Sequence, residues 1–236
     1  MDGKIASRYQ QVKETIARTA QAAGRPEKDI RLVVVTKGHP LTAIETVYQL
    51  GVRDVGENRL EEASFKQQTL TALTGLNWHM IGHIQSRKAR DVCGRFALVH
   101  SVDRLKLARK LDQSALAQGI EQPVLLEFNV SGEVQKSGWM ADDKAEWPEL
   151  LPEVEAVLAC TGLEVRGLMT MAPYSTNPED ARPSFVRLRK LRDYLAGQFP
   201  AGSWDELSMG MSGDYQVAIE EGATLLRIGT AIMGER

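Results

Sequence analysis

The sequence predicts an α/β fold: a closed barrel of eight parallel strands alternating with helices, preceded by one extra helix. Three observations carry this. Eight short apolar, strand-like segments recur along the 236 residues, and amphipathic helical patterns fill the gaps between them. Polar residues and glycines crowd behind the strand ends, where a barrel of this kind puts its chemistry. The glycine-rich G-x-G-x-x-G turn of the rival, an open doubly wound sheet, is absent.

A polar helix opens the chain and ends near Gly24. The first strand is Leu32–Thr36, apolar and mostly β-branched, as in a strand covered on both faces. Gly38 and Pro40 stop it, so Lys37 stands where a core strand meets a loop. Ile44, Val47 and Leu50 then share a helical face. Strands follow at Asp54–Gly56, Trp78–Gly82 and Leu98–Ser101. Leu105, Ala108, Leu111 and Ala115 form the next helical stripe, with Asp103 as its N-cap and Gly119 as its stop. Val124–Val130 is the fifth strand, and Trp147, Leu151, Val154 and Leu158 stripe the helix after it. Val165–Thr170 precedes the stripe of Phe185, Leu188, Leu191 and Leu195. Glu206–Met211 and Leu225–Gly229 complete the eight.

Composition narrows the function. A net charge of −2 gives no basic field to draw nucleic acid or an anionic membrane. Cys93 and Cys160 make neither a disulfide framework nor a zinc-type pattern, and read as thiols of a reducing compartment. With no signal core and no membrane span, the sequence reads as a cytosolic, single-domain chain over residues 1–236, residues 1–25 being a leading helix packed on the barrel.

The strand ends carry the site. After the seventh strand, "MSGD" leads into a short helix, with Ser212 as N-cap and Gly213 allowing close backbone approach. First-turn N–H groups there favour an anion. After the eighth, Gly229 and Thr230 add an amide and a hydroxyl, and loops in these two places form the recurrent phosphate site of such barrels. Arg227, among apolar strand neighbours, projects a fixed cation into the mouth. Taken singly, Ser-Gly is a common cap and Gly-Thr a common turn; their joint placement points to a phosphate. The first and last strands of a closed barrel are neighbours, so Lys37 lies beside this cradle. A desolvated amine there can form a Schiff base with a phosphorylated aldehyde, either a sugar phosphate or pyridoxal phosphate. The bland reading of Lys37 is a solvated lysine in a turn.

Many motifs in order make the chain recognisable. These are "VVVTK" ending at Lys37, "GEN" at Gly56–Asn58, "WHMIGHIQ" at Trp78–Gln85, "SVD" at Ser101–Asp103, "SGEVQKSG" at Ser131–Gly138, "GLMTM" at Gly167–Met171, "LSMGMSGD" at Leu207–Asp214 and "EEGATLLRIGTAIMG" at Glu220–Gly234. The chain resembles the pyridoxal phosphate homeostasis protein family, whose members are similar to the N-terminal TIM barrel of alanine racemases (fold type III of the pyridoxal 5′-phosphate, or PLP, proteins). The resemblance implies an internal aldimine on Lys37, a phosphate held around Ser212, Gly213, Gly229 and Thr230, and Arg227 opposite the pyridine nitrogen. It also implies Asn58 and His79 near the cofactor, and Met209 and Met211 beside it, with plain barrel core as the alternative for the methionines. Departures sit at the rim: "KGHP" after the first strand, Val55 before "GEN", and Arg87.

The family implies a carrier or buffer in PLP homeostasis, with PLP-dependent apo-enzymes as recipients and no efficient catalysis. The alternative is a PLP-dependent amino-acid racemase. That chemistry needs a second acid/base, and none of the five tyrosines sits obviously on a strand end facing Lys37. A Schiff-base aldolase lacks a clear carboxylate–lysine relay. Loss of the racemases' dimerising domain suggests a monomer. His79 and His83, four apart, are a weak metal motif without further ligands. The basic clusters at Arg87–Arg95 and Arg187–Arg192 lack stacking aromatics, and nucleic acid is not expected. Lys136 reads as either a second exchange site or a solvated lysine.

Overall fold

Eight parallel strands close on themselves in the computed structural model, which describes residues 2–235. The strands are β1 (Arg31–Val35), β2 (Asp54–Glu57), β3 (Asn77–Met80), β4 (Leu98–Val102), β5 (Gln122–Asn129), β6 (Trp139–Met140), β7 (Leu163–Met169), β8 (Glu206–Ser208) and β9 (Leu225–Ile228). The helices are α1 (Asp2–Ala22), α2 (Leu41–Gln49), α3 (Leu60–Thr69), α4 (Ala89–Val92), α5 (Leu105–Gln118), α6 (Trp147–Leu158), α7 (Arg182–Gln198), α8 (Tyr215–Glu220) and α9 (Thr230–Met233). The sheet runs β4-β3-β2-β1-β9-β8-β7-β5 and closes through β4–β5, with the two-residue β6 appended to β5. β1 pairs with β9 in the register Val33↔Arg227 and Val34↔Ile228, so the chain's first and last strands share an edge. Among the described residues no helix is long and apolar enough to cross a membrane.

Side chains alternate along each strand. Val34, Val55, Leu126, Leu168 and Leu207 point outward into the large core shared with the helices. Val33, Leu98, Leu125, Met169 and Leu225 form a separate apolar layer inside the barrel. Above and below that small layer the inward positions are polar and buried: His79, His100, Glu127, Ser208 and Arg227. Buried polar groups must find partners, and most of the barrel's interior chemistry follows from that demand. α1 packs on α2, α8 and α9, covering the seam where β1 meets β9.

Two expected caps are not used. α5 starts one residue beyond the expected junction, with Arg104 as its N-cap and no side-chain cap bond. Asp103 instead pairs with His83 Nδ1 at 3.0 Å and with Arg104. α8 is capped at Asp214 rather than Ser212. Gly119 does end α5 in the left-handed conformation, at φ 64°. α3 and β6 have no counterpart in the sequence reading. The buried face of α3 is Leu60, Ala63 and Lys66, and a stripe that includes a lysine is invisible to hydrophobic periodicity.

Candidate functional site

At the C-terminal ends of the strands lies a cavity of about 660 Å³. Lys37, Asn58, Ser212, Gly213, Arg227, Gly229 and Thr230 all line it, Arg227 from within β9 and the others from the segments that follow β1, β2, β8 and β9. Met171, Pro173 and Tyr174, after β7, form the opposite wall. Met211 lines the cavity but Met209 does not; Met209 is fully buried in the outer core. His79 is also absent from the lining. It is buried in the barrel interior, between His100 and Asp54.

Local chemistry explains how each group is presented. Lys37 is half-buried, and the residues on both sides of it are clamped. Thr36 Oγ1 donates to Glu57 Oε1 at 2.6 Å, and Lys66 Nζ donates to the Thr36 carbonyl at 2.8 Å. The Gly38 N–H donates to Glu62 Oε1 at 2.6 Å. Lys66 also bonds Glu57 and Glu62, at 2.7 and 2.6 Å. Glu57 lies within the "GEN" motif, whereas Glu62 and Lys66 of α3 belong to none; together they hold the backbone that carries Lys37. Asn58 is brought to the lining by a close crossing: a Cβ at Gly82 would lie 2.2 Å from the Asn58 carbonyl oxygen.

On the opposite side, Ser212 Oγ accepts from the Ala231 N–H at 3.1 Å, tying the turn after β8 to the turn after β9. Its hydroxyl joins the two loops by satisfying a first-turn N–H of α9 instead of capping α8. Asp214 Oδ1 accepts from the Met211 N–H at 2.6 Å and rigidifies the same turn. A Cβ at Gly213 would meet nothing within 4 Å, leaving open space against the backbone. A Cβ at Gly229 would lie 3.3 Å from Val35 Cβ, so this turn is held close to β1.

Arg227 is buried, and its Nη2 donates to the Thr170 carbonyl at 2.8 Å. Burial pulls its guanidinium down to about 10, with Glu127 and Asp214 opposing, so it remains a cation at neutral pH. Glu127 is pushed up to about 7 by burial and the nearby Asp103, against the pull of Arg227. Lys136 Nζ reaches the Met171 carbonyl at 3.0 Å and pairs with Glu133, which puts it at the cavity margin. Tyr174 follows directly on the residues behind the Val165–Thr170 strand, one step beyond those the sequence marks. It lines the cavity and is 94% exposed.

These residues fit a small phosphorylated aldehyde. They offer a primary amine, two turns of hydroxyl and amide donors with free space beside Gly213, and a buried donor-only cation, in a volume typical of cofactor sites.

A family model described as "Alanine racemase, N-terminal domain" matches residues 8–236. The chain is 42% identical over 230 residues to the pyridoxal phosphate homeostasis protein of Aquifex aeolicus, covering 97% of each. It belongs to the pyridoxal phosphate homeostasis protein family. The Pseudomonas aeruginosa member is 43% identical, over 98% of this chain and 96% of its own. Among solved structures, PipY of Synechococcus elongatus, with PLP bound, superposes with a TM-score of 0.82 at 35% identity. The match covers 98% of this chain and all of that one (100%). An alanine racemase of Clostridium difficile shares the fold at a TM-score of 0.76 and 15% identity, over 99% of this chain and 57% of its own. The alanine-racemase-type barrel expected from the sequence is therefore the one adopted.

Proposed function

We propose that this protein binds PLP, holds it on Lys37 as an internal aldimine, and serves as a cytosolic carrier or buffer of the cofactor without efficient catalysis. The observation that carries the reading is that Lys37, the Ser212–Gly213 and Gly229–Thr230 turns, and Arg227 line one cavity. Membership of a family named for PLP homeostasis, and the PLP-bound PipY structure, support it. In this reading the two turns and the Ser212 and Thr230 hydroxyls take the phosphate, Asn58 contacts the ring side, and Arg227 faces the ring nitrogen. His79 and Met209 act from outside the cavity lining. Arginine has no acceptor and does not hand over its proton readily, so the bound ring is a weak electron sink suited to holding and exchange. The recipients are PLP-dependent apo-enzymes, and the protein works as a monomer.

Purified protein should be yellow, and borohydride should fix the cofactor on the peptide containing Lys37. Lys37→Ala should lose the reducible adduct; retention of a full adduct elsewhere would overturn the assignment. The double variant Ser212→Ala/Thr230→Val should release PLP about tenfold faster, since it removes two hydroxyl donors while leaving the backbone amides. Unchanged release would count against the cradle.

One observation favours the second reading, a PLP-dependent racemase-type enzyme: Tyr174 places a phenol on the cavity wall. Racemisation of an amino acid, abolished by both Lys37→Ala and Tyr174→Phe, would replace the carrier reading.

A further inference from the structure

Beneath the cavity, a line of hydrogen bonds crosses the barrel interior. Arg227 Nη1 donates to Ser208 Oγ at 2.5 Å. Ser208 Oγ lies 2.8 Å from His100 Nδ1. His100 Nε2 lies 2.9 Å from His79 Nδ1, and His79 Nε2 lies 2.9 Å from Asp54 Oδ1. Ser208, His100 and His79 are buried; Asp54 lines a second, smaller cavity at the far end of the barrel, with Arg31 and Arg53.

The protons in this line can be assigned from its two ends. Arg227 has donors only, so Ser208 Oγ accepts there. Asp54 is held below the usual carboxylate range: burial raises it, and the hydrogen bond from His79 leads the contributions that bring it down. An ionised carboxylate only accepts, so His79 carries its proton on Nε2. His100 is kept neutral by burial, and then by His79, Arg227 and Arg31. With that proton given to Asp54 and His100 neutral, one arrangement satisfies every donor and acceptor along the line. His79 Nδ1 accepts from His100 Nε2–H, and His100 Nδ1 accepts from the Ser208 hydroxyl. Every link then donates in one direction, from the cation at Arg227 to the anion at Asp54, and such aligned bonds reinforce one another.

We propose that Asp54, His79, His100 and Ser208 are positioning residues: a one-way hydrogen-bond relay that locks the guanidinium of Arg227 and presents its remaining donors to the cavity. The proposal rests on the PLP reading, because it gives those donors a ring nitrogen to face. It also accounts for His79, which acts three links away from Arg227 instead of touching the cofactor. Because the relay ends on a group that cannot accept a proton, it conducts none into the cavity. It fixes geometry and charge, and does not feed chemistry.

Two measurements test this. In apo-protein labelled with ¹⁵N-histidine, NMR should find His79 and His100 both as neutral Nε2–H tautomers near neutral pH. An Nδ1–H tautomer or a doubly protonated ring at either position would overturn the relay. Second, Ser208→Ala should weaken PLP binding about tenfold, the loss expected for one charge-assisted contact. It should leave the binding of a deaza analogue, in which carbon replaces the ring nitrogen, unchanged. Equal weakening for both ligands would reduce Ser208 to a packing role and refute the proposal. If the wild-type protein bound no PLP, the functional reading would fall, and the tautomers alone would then decide the relay.

Discussion

Lys66→Ala should destabilise the protein by about 3–5 kcal/mol, the range for breaking one side of a buried ion pair. Lys66 is 3% exposed and is the cation shared by Glu57 and Glu62. Removing it leaves Glu57, which is fully buried and already has one unpartnered oxygen, without its main counter-charge. Burial raises the Glu57 carboxyl even with Lys66 and Thr36 bonded to it, so the variant drives that group further toward its neutral form. The same substitution frees the Thr36 carbonyl beside Lys37. Cofactor capture should therefore slow in addition to the stability loss. Urea unfolding measures the first effect and the rate of borohydride-trappable adduct formation the second. The pair Glu57→Gln/Lys66→Met, which removes both charges at nearly constant volume, should recover most of the stability. A loss under about 1 kcal/mol for Lys66→Ala would show that the cluster does not hold this end of the barrel.

Glu127→Gln should stabilise the protein above neutral pH by about 3 kcal/mol and leave it unchanged in acid. In the folded chain the Glu127 carboxyl is raised to about 7 from an ordinary 4.5. Between those two values the folded state holds a proton that the unfolded chain has released. Wild-type stability therefore falls as pH rises from about 4.5 through about 7 and then levels off. The gap between the two values sets the size of the loss. Glutamine never ionises, so its contribution is flat, and the two curves should meet at the acid end. Denaturant titrations across this window decide it. Parallel pH profiles for the two proteins would mean that Glu127 is ionised in the fold throughout, sharing its charge with Arg227.

How much of this was readable from the sequence depends on where the signal lies. Lys37 was legible because a β-branched run stops abruptly at Gly38 and Pro40. The Ser212–Gly213 and Gly229–Thr230 turns were legible because glycines and hydroxyls stand next to each other in the chain. The barrel followed from alternating patterns that are local as well. The clamp behind Lys37 was hidden because it rests on a lysine in a core position, which breaks the apolar stripe of α3. The relay was hidden for another reason. His100 and Ser208 are 108 residues apart, and both point inward only because of the strand registers. Nothing in the chain order of Asp54, His79, His100 and Ser208 says that they form one line. The cap errors at Asp103 and Ser212 are cases of competition, since each side chain had a better partner elsewhere in the fold.

The β1–β9 edge has a temporal corollary. It joins Arg31 to Leu225, so one wall of the cavity is synthesised well before the other. A nascent chain already carries Lys37 but has no Arg227, Gly229 or Thr230 to complete the pocket around it. Loading is therefore an event for the finished barrel, and a ribosome-bound chain short of its last strand has no compartment in which to retain a ligand.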